Sequence, residues 1–147
     1  MSQENVEVVR ALLGPFEHGD AVVLFRDAAV NASIREASEP FFTRDFVCVF
    51  VREDIGRREY FGLDGLQAGW VDWLEPWDSY NPGVEDVVDA GEGRVVVLTD
   101  DHARPKGSGA EVSFKGAPVW TVRGGKVARI EFYWNRNEGL KAVGLEE

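Results

Sequence analysis

Residues 112–134, VSFKGAPVWTVRGGKVARIEFYW, constrain the fold more than any other stretch of this chain. Val112, Phe114, Pro118, Trp120 and Val122 fall on one side of an extended segment, with Gly116 between them. Ser113, Lys115, Thr121 and Arg123 fall on the other side. Beyond the glycine pair, Ala128, Ile130, Phe132 and Trp134 alternate with Arg129, Glu131 and Tyr133. A period of two on both arms of a glycine turn marks a half-buried antiparallel hairpin. Both apolar sets must face the same core, because a slip of one residue turns a whole set into water. Pairing Trp120 with Ile130 and Val122 with Ala128 then predicts a three-residue loop, Gly124-Gly125-Lys126, rather than a two-residue Gly-Gly turn.

The 147 residues suffice for one domain, 1–147, with a single core. Apolar residues make up 44% and charged residues 29%, a balance that excludes a disordered tail. A net charge of -10 repels phosphate backbones, so no nucleic-acid partner is expected. Cys48 stands alone, which rules out an internal disulfide and suits a reducing interior. The opening MSQENVE has neither a basic n-region nor a long apolar run. With no membrane span either, the expected setting is the cytoplasm.

Along the chain, Ser2 is a candidate cap for a first helix whose apolar stripe is Val6, Val9, Leu13 and Phe16. Gly14-Pro15 should kink or end it, since Pro15 has no N–H to donate. Helical patterns follow over 21–31 and 33–42, with Pro40 marking an ending. The β-branched and aromatic run 46–52 predicts a strand, and 57–61 a short partner beyond the turn 54–56. Asp64 is a candidate cap for a helix over 64–77, on which Leu66, Trp70, Trp73 and Trp77 share one face. Residues 79–83 read as a loop, 84–90 and 94–104 as strands joined at 91–93, and 139–147 as a tail. Helices, strands, one helix and a run of hairpins make an α+β fold, with helices on one face of a curved antiparallel sheet.

Several local strings in this order resemble the SnoaL-like group, named for polyketide cyclases, of the nuclear transport factor 2-like superfamily. They are ENVEVVRALL with a following GD, YFGLDGL, VVDAGEGRVVVL, and VWTVRGGKVARIEFYWNRNEGLKAVGL, which together span about four-fifths of the chain. Against that pattern, residues 27–44 are longer than the usual connection and read as an insertion. The resemblance implies a cone: a strongly bent antiparallel sheet wrapped by the N-terminal helices and one central helix, with an internal pocket. It also implies a homodimer that pairs through the outer sheet face.

Members of that superfamily do different chemistry on one scaffold, so the fold leaves the reaction open. The positions that carry the steroid isomerases' base, tyrosine and protonated acid correspond here to Phe50, Leu12 and Pro118, none of which can move a proton. The epoxide hydrolases' arginine is missing from Leu98-Thr99-Asp100-Asp101, and Ile130, Phe132 and Trp134 offer no second acid. The polyketide cyclases use an aspartate or histidine base, and Asp101 is a loose analogue. It shares a face with Val95, Val97, Thr99 and Ala103, a valine-rich face that should be buried. Burial would raise its pKa and fit it to act as a general base. The alternative is a solvated strand end, paired with Arg104 or Lys106. Asp100 and His102 face the other way, towards solvent or a dimer contact.

His18 and His102 lack the further ligands that a metal site needs, so no metal is expected. Cys48 reads as a small core residue, and no phosphate loop opens a helix, so no cofactor is expected either. Trp70, Trp73, Trp120 and Trp134, with Phe50, Phe132 and Thr99, form the candidate wall of a site for a small apolar or cyclic molecule. The simpler reading of the same aromatic stripe is core filler, which a helix lying on a bent sheet needs. Glu131 and Tyr133, with Arg129 and Thr121, read as a polar outer face. Three functions stay open: an apolar ligand binder, an isomerase, cyclase or hydratase with Asp101 as base, and a dimerisation module with a filled core.

Overall fold

The structure is a computed structural model that describes residues 2–17, 19–52 and 56–145. The Ser2 cap, His18 and most of the 54–56 turn therefore lie outside what is described. Helix α1 covers Ser2–Leu13 and passes into a 3₁₀ turn at Gly14–Phe16, where Pro15 removes a helical donor. Helix α2 covers Ala21–Arg26 and α3 covers Ala28–Ser38. The break between them falls at Asp27, earlier than the expected boundary between 31 and 33. Asp27 is extended (ψ 116), and its carboxylate accepts from Ala29 N and Val30 N. A single Asp thus ends one helix and caps the next. Pro40 lies in the 3₁₀ turn Glu39–Phe41 that leads into the sheet.

The remaining elements are β1 (Phe42–Arg52), β2 (Gly56–Phe61), α4 (Gly62–Leu74), β3 (Trp77–Asn81), β4 (Val84–Gly91), β5 (Arg94–Pro105), β6 (Val112–Gly116), β7 (Val119–Arg123), β8 (Lys126–Tyr133) and α5 (Arg136–Ala142). Asp64 does not cap α4. Phe61 holds the cap position without a side-chain bond, and Asp64 pairs instead with Arg35. The helix stops at Leu74, before Pro76, so Trp77 opens β3 rather than closing the helix. Residues 77–81, read in part as a loop, form a strand that pairs with the far half of β5.

The sheet order is β2-β1-β8-β7-β5-β3, with β4 and β6 also on β5. Among the described strands β1–β8 is the one parallel pair, and the other pairs are antiparallel. The sheet curls into a half-barrel, and β5 shows how. Its first half pairs with β4 and β7, and its second half with β3 and β6. The partners change at Pro82-Gly83 on one edge and at Ala117-Pro118 on the other. There, single bonds Asp100 N to Gly83 O (2.7 Å) and Val97 N to Pro118 O (2.9 Å) carry the ladder across the corner. Thr99 and Asp101 lie where β5 turns.

The closing hairpin keeps the predicted pair Trp120–Ile130 but not the predicted turn. Arg123 faces Lys126 across a two-residue Gly124-Gly125 turn, with φ of 60° and 79°. Both values lie in the left-handed region that glycine occupies freely. Thr121 faces Arg129 while Val122 faces Val127, so Ala128 is an extra residue. A β-bulge at Ala128, rather than an odd loop, brings both apolar sets to the core. Val122 pairs with Val127, not with Ala128.

The inner face of the sheet presents Phe46, Phe50, Val95, Val97, Trp120, Ile130 and Phe132 to Val9, Phe25, Trp70, Leu74 and Tyr80. Helix α4 lies on β1 and β2, α1 on β4, and α2 on α4 and β3. The outer face holds a smaller core of Val96, Ala117, Val119, Tyr133 and Val143 under α5. The expected tail is thus a packed helix, capped by Asn135 accepting from Glu138 N. Tyr133, read as surface, is buried beneath it, with its hydroxyl 3.2 Å from Glu131 Oε2. Among the described residues no helix is long and apolar enough to cross a membrane.

Candidate functional site

A cavity of about 130 Å³ lies inside the cone, between helices α1 to α4 and the inner sheet face. Six of the eight expected site residues line it: Trp70, Thr99, Asp101, Trp120, Phe132 and Trp134. Leu12 and Pro118, which stand where the steroid isomerases carry polar groups, line it as well. Trp73 and Phe50 do not. Trp73 stacks on Trp134 at 4.1 Å and 4° and faces a separate recess with Val51, Arg52, Phe114, Asn135 and Glu138. Phe50 packs beneath the wall, 4.6 Å from the Phe132 ring. Both share a face with lining residues, and that face continues past the cavity. From the helices Phe25, Ile34 and Leu66 add apolar wall, and Asn31, Arg35, Ser38 and Gln67 add polar groups.

Asp101 is only 3% exposed. It is no fraying strand end, since β5 runs on to Pro105 and Asp101 pairs with Phe114 of β6. Lys106 points elsewhere, to Glu75 at 3.7 Å. The Asp101 carboxylate accepts from the Tyr80 hydroxyl at 2.6 Å and from Gly83 N–H at a long 3.4 Å. Burial pushes its pKa up to about 6, against the opposing pull of those two donors. The Thr99 hydroxyl also favours the ionised form, although Oγ1 makes no hydrogen bond of regular geometry among the described residues. Tyr80 is pushed well above its ordinary value by burial and by the neighbouring Asp101 charge, so it stays a donor.

Tyr80 and Gly83 are the site residues that sequence reasoning missed. Ser79-Tyr80-Asn81-Pro82-Gly83 carries turn chemistry, and no local pattern shows that Tyr80 points inward. A large aromatic two positions before Pro-Gly was the available signal. Its placement depends on Asp20, whose Oδ1 caps α2 at Val22 N and also accepts from Tyr80 N at 2.9 Å. Helix start, strand and carboxyl are thereby tied together.

The other candidates sit apart. His102 lies on the outer side with Glu111 at 3.2 Å and Asp100 at 3.7 Å. Cys48 is buried, and desolvation pushes its thiol up to about 12. Among the described residues no group of three or more His, Cys, Asp or Glu is placed to hold a metal ion. The site can therefore do two things chemically. It can enclose hydrocarbon against aromatic faces, and it can take or give a proton at Asp101 near neutral pH.

The family model of the SnoaL-like domain matches residues 22–130. No curated protein matches the sequence. Among solved structures, a protein from Jannaschia sp. CCS1, provisionally described as a SnoaL-like polyketide cyclase, superposes with TM-score 0.62 at 18% identity, over 90% of this chain and 85% of that one. TerC crystallised with polyporic acid gives 0.63 at 16%, over 96% and 98%. A protein of ketosteroid isomerase-like fold from Catenulispora acidiphila DSM 44928, in complex with trimethylamine, gives 0.60 at 14%, over 95% and 93%. At such identities the likeness is one of fold, and the activity does not transfer with it. The match over 22–130 covers well over half of the chain: the chain belongs to the SnoaL-like family.

Proposed function

We propose that this protein binds a small, largely apolar organic molecule in the cavity of its cone, with Asp101 as the polar anchor. The observation that supports this reading is one buried carboxyl in a largely aromatic and aliphatic cavity of about 130 Å³, whose helix side also carries Asn31, Arg35, Ser38 and Gln67. An engineered apolar cavity of about 150 Å³ holds benzene, so the space suits a single ring. Similar folds described with polyporic acid and with trimethylamine make a small organic ligand reasonable. A cone filled by its own side chains would leave no such space. Differential scanning fluorimetry against small cyclic compounds tests the reading. A ligand at a hundred times its Kd should stabilise the fold by about 2.7 kcal/mol. Replacing Leu66, which lines the cavity, by Trp should abolish the shift while the protein stays folded. A folded parent that no ring compound stabilises would end this reading.

The Tyr80–Asp101 bond favours a second reading, acid–base catalysis of an isomerase, cyclase or hydratase type. A carboxyl near pH 6 is suited to proton transfer at neutral pH. Trp120 and Trp134 carry buried indole N–H groups with no acceptor among the described residues, and these are candidate donors to a developing oxyanion. Asp101→Asn assayed on cyclic ketones and lactones decides: turnover equal to the parent removes Asp101 from any mechanism. We further propose a homodimer that pairs through the polar strip of Arg57, Arg129 and Glu131, which light scattering of the eluting protein would measure.

A further inference from the structure

We infer that the ligand of this cavity is a cation: a small organic ammonium whose apolar body lies against Trp70, Trp120, Phe132 and Trp134 and whose nitrogen faces Asp101. This rests on the binding reading above and specifies the polar end that it leaves open.

The first argument is charge balance at Asp101. A buried carboxylate is costly unless it is paired, and removal from water is repaid only by a close counter-charge and further hydrogen bonds. Asp101 receives one O–H and one weak N–H, whereas a carboxylate offers about four acceptor sites. Among the described residues no Lys, Arg or His contributes to holding its charge, and Asp100 adds repulsion. The cations on the surrounding elements are committed elsewhere. Arg136 bonds Glu85 and the Thr99 carbonyl, Lys115 pairs with Glu85, and Arg35 at the cavity wall pairs with Asp64. The protein thus builds an acceptor site for a cation and fills it with none of these.

The second argument is the wall. Indole and phenyl faces carry negative quadrupole potential and attract ammonium groups, with Trp the strongest. Three tryptophans and Phe132 line the same cavity as Asp101, and among the described residues Trp120 is the one of the four with no ring stacked on it. A carboxylate ligand would meet Asp101 as a like charge. A neutral ligand would leave the buried anion uncompensated or force it to take a proton. A net charge of -10 also concentrates cations around the molecule.

Three soluble molecules with the same six-membered ring separate these cases: cyclohexylamine, cyclohexanol and cyclohexanecarboxylate. They would be titrated calorimetrically into the full-length protein at pH 7.5 and about 0.15 M salt, where surface pairs are largely screened. The amine is protonated there, as a lysine side chain is. The expected result is cyclohexylamine binding at least tenfold tighter than cyclohexanol, with no detectable binding of the carboxylate. That comparison is made on the parent protein and needs no variant. In Asp101→Asn the affinities of cyclohexylamine and cyclohexanol should converge, which places the charge effect in the cavity. Cyclohexanol binding as tightly as the amine, or a preference that survives Asp101→Asn, overturns the ammonium inference and leaves the binding reading standing. If none of the three binds, and benzene does not either, the binding reading falls and this inference with it.

Discussion

The Tyr80 hydroxyl sits 2.6 Å from Asp101 Oδ2, with both side chains shut away from solvent. Neither residue is near the other in sequence. Tyr80 lies on β3 opposite Ala103 of β5, and Asp101 stands two positions back on the same inward face. The bond lies at the cavity wall, which Asp101 lines. A hydrogen bond to an ionised group contributes about 1.5–3 kcal/mol. Tyr80→Phe should therefore destabilise the protein by about that amount at pH 7.5, read from urea unfolding. It should also raise the Asp101 titration midpoint, followed by carboxyl carbon NMR. An unchanged midpoint would show that the hydroxyl does not hold the charge.

Stability should depend on pH through Asp101 with an unusual sign. Its folded pKa, about 6, lies above the ordinary carboxyl value of 3.8, because burial disfavours the anion. Between those values the folded state binds the proton and the unfolded state does not, so raising the pH works against folding. The favourable contribution is complete below about pH 4 and is lost as pH rises through 6. At 1.36 kcal/mol for each pKa unit its size is about 3 kcal/mol. Exposed carboxylates such as Glu85, held low by Arg136, act in the opposite direction. The difference between parent and Asp101→Asn isolates the effect. Unfolding curves from pH 4 to 8 should show the variant gaining on the parent as pH rises, and parallel curves would refute it.

Helix α5 should prove to be part of the fold rather than an appendage. Gly139 lies so close to β6 and β7 that a Cβ there would stand 2.3 Å from the Ala117 carbonyl oxygen. That neighbour is backbone and has little room to retreat. Gly139→Ala should cost about 1–3 kcal/mol, the range for overpacking a filled core. Amide exchange should accelerate across α5 and at Val96 and Val119, which it covers. Unchanged stability would mean that the helix lifts away freely.

Cys48 should be inert in the native protein. It is fully buried on β1, and a thiol pushed up to about 12 has almost no thiolate at pH 8. A thiol-exchange reagent should label it only at the rate of unfolding, and labelling should turn rapid in denaturant. Fast labelling without denaturant would contradict the burial.

The α+β class, the main strands and the inward run of Val95, Val97, Thr99 and Asp101 were legible in the sequence, because a period of two records burial residue by residue. The resemblance carried by local strings named the family. The turn at Gly124-Gly125 was misjudged for a physical reason: side-chain alternation reports parity, and a bulge at Ala128 restores parity as well as an odd loop does. Tyr80, the burial of Tyr133 and the role of α5 were invisible, since each depends on a partner distant in the chain. Trp73 and Trp134 show the same limit from the other side. Periodicity puts both on inward faces, yet only their stacking decides that Trp134 faces the cavity and Trp73 does not. The sequence by itself determined which face of each element would be apolar. The tertiary structure alone decided where those faces meet and where they leave a gap around Asp101, because a gap belongs to the packing of several elements and to the pattern of none.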